Sequence, residues 1–155
     1  MAEYCALALA TPLPAGLPLV LDTNAVLSLW MFEDPALARL RAAIEAGDFT
    51  LFTREDCLGE LARVLAYSQF KQTPERQAEI AAAYRARCVV VAPCEAPACE
   101  LPACLDRDDQ KFLELARDGG AHWLVTADKL LLRLRRGRRM DNLFRIMTPD
   151  EALAT

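Results

Sequence analysis

Asp22 in LVLDTN, Glu60 in ELARVL, Asp109 in DRDDQKFLELA and Asp128 in LVTADKLLL are the side chains with the most chemistry to offer. Each falls at an expected strand end or on a helix flank, where the apolar pattern sets it beside the others. Carboxylates gathered in this way repel one another. Two unit charges about 4 Å apart, at an effective dielectric of about 20, cost about 4 kcal/mol. Protonation or a bound cation relieves that repulsion. Ionised oxygen ligands suit a hard divalent ion, Mg²⁺ or Mn²⁺, which keeps waters for chemistry. Such an ion activates water and stabilises charge on a phosphoryl oxygen. The pattern therefore points to a metal-dependent hydrolase, with an acid outside direct metal contact free to orient the attacking water.

Each acid also has a simpler reading. Asp22 ends an apolar run and precedes Thr23 and Asn24, so its side chain is expected to point at solvent from a strand tip or to cap the next helix. Glu60 flanks a buried stripe through Val64 at i+4; the alternative is an intrahelical pair with Arg63, worth about 0.2–0.5 kcal/mol. Asp106, Asp108 and Asp109 precede a helix, where acids meet the positive end of the macrodipole. Asp109 stands out by phase, because Phe112 and Leu113 at i+3 and i+4 place it at the edge of the inward face. Asp106, one turn earlier, supports it through a metal-bound water. Asp128 is also placed to cap DKLLL. Four independent caps would have no reason to converge on one sheet edge.

The elements that must position these acids follow from the apolar runs and breakers. LPLVLD (17–22) reads as a buried parallel strand, with Thr23 or Asn24 capping the helix AVLSLWMF. PALARLRAAIEAG forms a helix ended by Gly47, and FTLF (49–52) is a second strand, with Thr53 capping the next helix. A helix runs from Pro74 to about Arg87, and 88–91 is a third strand. The Pro-rich stretch 92–105 is a loop. A helix from about Asp108 to Gly119, a strand at 122–126, a short helix DKLLLRL and a strand FRIM (144–147) complete the order. Strands alternating with helices predict βαβ units around a parallel sheet. Ligands of such sheets bind outside the carboxyl ends of the strands, where Asp22 and Asp128 both emerge.

At 155 residues the chain is one domain, expected as a tail over 1–16 and a domain over 17–155. Hydrophobic residues make up 54% and charged residues 26%, enough for a packed core. No apolar run is long enough to cross a bilayer, and the start lacks a secretory pattern, so a cytoplasmic protein is expected. Cys5, Cys57, Cys88, Cys94, Cys99 and Cys104 contain no CxxC pair, so free thiols are expected rather than a zinc site. The net charge of −4 is uneven: seven basic residues and one acid lie between Lys129 and Arg145. That segment includes Arg133, Arg135, Arg136, Arg138 and Arg139, candidates for RNA backbone contacts, with a solvated helix end as the competing reading. His122 is expected to be structural. The chain has neither a GxxxxGK[ST] loop nor a GxGxxG turn.

VLDTNAVLS, ELARVL, DDQKFLELARDGGAHWLVTADKLLL and FRIMTPDEAL together resemble a PIN domain across about residues 17–153. That is a small ribonuclease fold found in many bacterial toxin–antitoxin toxins. The resemblance implies a three-layer α/β/α fold with a central, mostly parallel sheet flanked by helices. By position, Asp22, Glu60, Asp109 and Asp128 match the family's metal-binding acids, Asp106 an extra acid, and Asn24 and Thr126 common polar neighbours. It implies an Mg²⁺- or Mn²⁺-dependent endoribonuclease with an RNA substrate, a cognate antitoxin and a second copy of itself as partners. Trp30, Met31 and Phe32 offer an apolar contact or core. A phosphatase using Asp22 as nucleophile is disfavoured because Asn24 stands where a second acid is wanted. A non-catalytic RNA- or protein-binding domain is the remaining rival.

Overall fold

The unbroken apolar run Leu17–Leu21 forms β1, the middle strand of a five-stranded sheet. In the computed structural model, residues 16–95, 100–137, 140 and 143–154 are described. The other strands are β2 (Phe49–Thr53), β3 (Cys88–Val90), β4 (Trp123–Val125) and β5 (Arg145–Met147). Their spatial order is β3-β2-β1-β4-β5, and every pairing is parallel. The helices are α1 (Thr23–Val26), α2 (Ala38–Glu45), α3 (Glu55–Leu65), α4 (Pro74–Arg87), α5 (Gln110–Gly119), α6 (Lys129–Arg133) and α7 (Pro149–Leu153).

Strand side chains alternate between two apolar layers, as the two-residue period requires. Leu19, Leu21, Leu51, Val125 and Met147 pack with residues of α1–α4 and α7. Val20, Phe52, Leu124 and Ile146 face the other way, against Phe112, Leu113, Leu115 and Ala116 of α5 and Leu131 of α6. The result is the expected α/β/α arrangement. Gly120 ends α5 in the left-handed region (φ 69°), where a side chain would be strained. Among the described residues, no helix is long and apolar enough to cross a membrane.

Several local expectations change. Thr53 does not cap α3: it is the last residue of β2, pairs with Val90, and leaves Arg54 at the cap position. Asp22, rather than Thr23 or Asn24, caps α1. The expected single helix after Asn24 is one α-helical turn followed by a π-helical turn, Leu27–Met31. Trp30 is core, edge-on to Tyr84 at 5.1 Å, whereas Phe32 is 60% exposed. Cys57, Cys88 and Cys104 are free, but Cys94 is disulfide-bonded, against the expectation of a free thiol. The tail 1–15, Cys5, Cys99, Arg138 and Arg139 lie outside the described residues.

Candidate active site

The chain changes direction in the sheet at β1: β2 and β3 lie on one side, β4 and β5 on the other. Such a switch point opens a crevice at the carboxyl ends of the two central strands. Asp22 leaves β1 there, its backbone N–H donating to the Val125 carbonyl of β4 at 3.2 Å. The expected solvent-facing tip is instead buried: Asp22 is 3% exposed. Its Oδ1 accepts the Ala25 N–H at 2.9 Å, and its Oδ2 accepts the Thr126 hydroxyl. Burial pushes the Asp22 carboxyl up to about 6; those two hydrogen bonds oppose the rise, and the charges of Asp128 and Glu60 add to it.

Thr126 is fully buried and serves two acids at once. While its hydroxyl donates to Asp22, its Oγ1 accepts the Asp128 N–H at 2.9 Å. Asp128 in turn caps α6, its Oδ1 accepting the Leu130 and Leu131 N–H groups at 2.7 and 3.3 Å. The capping reading of Asp128 is therefore correct and compatible with a place in the crevice.

Asp109 arrives on a 3₁₀ turn, Arg107–Asp109, that leads into α5. Asp106 opens this turn, its Oδ1 accepting the Asp108 N–H at 2.9 Å. The Oδ2 of Asp109 is buried without a hydrogen-bond partner. Buried carboxylate oxygens rarely lack a donor, and such an orphan calls for a missing one, a water or an ion. Burial is the main cause that raises the Asp109 carboxyl to about 7, followed by the charges of Asp128, Asp106, Asp22 and Glu60.

Glu60 reaches the crevice from α3. It pairs with Lys111 of α5, Nζ to Oε1 at 2.7 Å, and its Oε2 accepts the Thr23 hydroxyl. Arg63, the intrahelical partner of the alternative reading, is exposed, and Glu60 pairs with Lys111 instead. Asp22, Asn24, Glu60, Asp106, Asp109 and Asp128 thus line one cleft of about 190 Å³, together with Thr23 and Asp108. Asn24 is exposed at its rim.

The donors are oxygens, mostly of ionisable carboxyls, and one is orphaned, so their chemistry fits a hard divalent cation. Among the described residues, no group of three or more His, Cys, Asp or Glu side chains is already drawn together to hold an ion.

The arginine-rich segment is placed differently. Arg133, Arg135 and Arg136 are exposed, and Arg135 is paired with Glu151 at 2.7 Å. Arg135 lines a separate cavity of about 730 Å³ with His122 and Arg145, at the amino ends of β4 and β5. The structure does not bring Arg135 to the acids.

Sequence reasoning missed Lys111, named Thr23 only as a helix cap, and left Asp108 as one of three acids at the start of a helix. Lys111 did carry a signal. A lysine in the first turn of a helix faces the positive end of the macrodipole, which disfavours it unless acids nearby hold it.

The family model of the PIN domain matches residues 18–130, a span that contains every acid of the cleft. Among solved structures, the chain is similar to the crystal structure of VapBC2 from Rickettsia felis bound to a DNA fragment from their promoter. The TM-score is 0.57 at 14% identity, over 84% of this chain and 98% of that one, a likeness of fold. No curated protein matches the sequence. With a five-stranded parallel sheet, an acidic crevice at its switch point and a family match over most of its length, the chain belongs to the PIN-domain family.

Proposed function

We propose that this protein is an Mg²⁺- or Mn²⁺-dependent endoribonuclease that acts as the toxin of a toxin–antitoxin pair. The observation that carries the chemistry is the orphaned Oδ2 of Asp109, buried in a cleft that also holds Asp22, Glu60 and Asp128. Family membership supports nuclease chemistry over other uses of such a cleft. In this reading Asp22, Asp109 and Asp128 hold the ion, Glu60 joins them, and Asp106 supports from the mouth. A divalent ion would supply Lewis acidity and neutralise charge at the phosphoryl oxygen. The Asp22 carboxylate is held by the Thr126 hydroxyl and the Asp128 carboxylate by the Leu130 and Leu131 N–H groups, so their geometry is set before substrate arrives. Water attacks the phosphorus of an RNA phosphodiester, the P–O bond to the leaving nucleotide breaks, and an acid at the mouth orients the water.

The partners in this reading are RNA, a cognate antitoxin and a second copy of the chain, in the cytoplasm. The similar structure is of a VapBC2 assembly bound to promoter DNA, which is consistent with that assignment. Arg133 and Arg136, both exposed, are the described candidates for RNA backbone contacts. A second reading is a non-catalytic PIN-like domain that binds RNA or protein. The Lys111–Glu60 pair favours it, because a protein cation already answers one of the acids.

One experiment separates the two. A mixed RNA pool is incubated with wild type in Mg²⁺ or Mn²⁺, with wild type in EDTA, and with Asp22→Asn in metal. Cleavage confined to metal-loaded wild type is expected. RNA binding without cleavage by folded, metal-loaded protein would establish the second reading instead.

A further inference from the structure

Lys111 is a basic side chain bonded to two residues that line the acidic cleft, Glu60 and Asp108. Its ammonium lies 2.7 Å from Glu60 Oε1 and 2.5 Å from the Asp108 carbonyl oxygen. The two side chains are only 16% and 13% exposed, so this is not a solvated surface pair of little consequence. The pair also joins α5 to α3, elements far apart in sequence.

We propose, on the reading of the cleft as a metal site, that Lys111 is its built-in counter-ion. It neutralises Glu60 in the metal-free protein and competes with the divalent ion for that carboxylate. Three observations lead here. The Thr23 hydroxyl and the Lys111 ammonium engage both oxygens of Glu60, whereas Asp109 Oδ2 is left without a partner. The ammonium therefore answers one acid and leaves the rest of the cluster to an external cation. Lys111 also stands in the first turn of α5, where the macrodipole opposes a cation, so the neighbouring acids must retain it. Finally, its other contacts do not depend on Glu60. The Asp108 carbonyl accepts from Nζ, and the ammonium lies 5.3 Å from the Phe112 ring centroid. Lys111 can thus release Glu60 and still keep the Asp108 carbonyl and the Phe112 ring as partners.

The exchange swaps a tethered monovalent cation for a free divalent one. Lys111 acts through Glu60 and is not itself placed at the reacting atoms. Its charge, more than its shape, sets how tightly the site holds metal. Removing that charge deepens the negative potential of the cleft and frees a ligand.

The test is Mn²⁺ titration of the full chain by calorimetry, with metal-free melting curves beside it. Lys111→Met and Lys111→Gln are expected to bind Mn²⁺ about tenfold or more tightly than wild type. Lys111→Arg, which keeps the charge, should stay within about threefold. Without metal, both neutral variants should melt below wild type, and Mn²⁺ should raise their melting temperatures by more than it raises that of wild type. Mn²⁺ binding by the neutral variants alone would support the proposal in its strongest form. Equal or weaker binding by folded Lys111→Met and Lys111→Gln would overturn it and leave the metal reading intact. Binding by none of the four proteins would overturn both.

Discussion

Replacing Asp22 with Asn removes a buried charge and should make the metal-free fold more stable, even as it removes a proposed metal ligand. The Asp22 carboxyl is raised from its ordinary 3.8 to about 6, chiefly by burial. At about 1.4 kcal/mol per tenfold change, holding it ionised costs the folded state about 3 kcal/mol. The folded state binds this proton more tightly than the unfolded chain does. The penalty is therefore absent below the unfolded value near 3.8, grows as pH rises towards 6, and is complete above it. Asn keeps an oxygen for the Ala25 N–H and offers its amide to Thr126, whose hydroxyl must rotate. That exchange of a charged acceptor loses about 1 kcal/mol. The net expectation at about pH 8 is a gain of about 1–3 kcal/mol, read from urea unfolding in EDTA by tryptophan fluorescence. At about pH 4 the gain should vanish, leaving Asn neutral or slightly worse. Saturating Mn²⁺ should reverse the order, adding about 2.7 kcal/mol to wild type at a hundred times its Kd and little to the variant. A variant equally destabilised at both pH values, with no response to metal in either protein, would refute the reasoning.

Thr126→Val keeps the shape but removes the hydroxyl that joins Asp22 to Asp128. It should destabilise by about 2–3 kcal/mol in urea and weaken Mn²⁺ binding, because the Asp22 carboxylate loses a donor and the Asp128 N–H loses its acceptor. Arg54 is 9% exposed at its side chain and pairs with Asp56 at 2.7 Å and Glu114 at 2.9 Å. Arg54→Met should lower stability by about 1–3 kcal/mol, since it removes the link between α3 and α5 and takes a cation from 4.0 Å of the buried Asp118. A loss under about 0.5 kcal/mol would show that pair to be merely superficial. Leu113→Ala, at a fully buried position between α5 and the sheet, should cost about 2–5 kcal/mol by denaturant unfolding.

The strands and the acids were readable in the sequence because each rests on a local pattern. LPLVLD has no polar alternation, which marks a strand buried on both faces, and Asp22 interrupts it where the chain must leave the sheet. The phase of Asp109 against Phe112 and Leu113 likewise placed it at the edge of the buried face, where its orphaned oxygen lies. What was not readable depends on partners distant in sequence. Nothing around Glu60 says that Lys111, fifty-one positions on, will reach it before Arg63 does. Thr53 has the composition of a cap, but its pairing with Val90 draws it into the sheet. Asp22 was expected at a solvent-facing strand tip or as a helix cap, and beside the local Ala25 N–H its buried carboxylate depends on the Thr126 hydroxyl, 104 positions away. The strand order β3-β2-β1-β4-β5 follows from packing the helices on both faces, a property of no single segment.

The central place of β1 also dictates the order in which the molecule can be made. Its one edge is covered by β2, within about thirty residues, but its other edge waits for β4, more than a hundred residues downstream. On a ribosome, β1–β3 emerge first and leave that second edge bare, a row of unpaired amides open to another chain. The cleft has only Asp22 and Glu60 at that stage, because Asp109 and Asp128 have yet to emerge. A nascent chain is thus without its full acidic cluster until its last third has folded, and any chain cut short before β4 lacks both the site and the strand that closes the sheet.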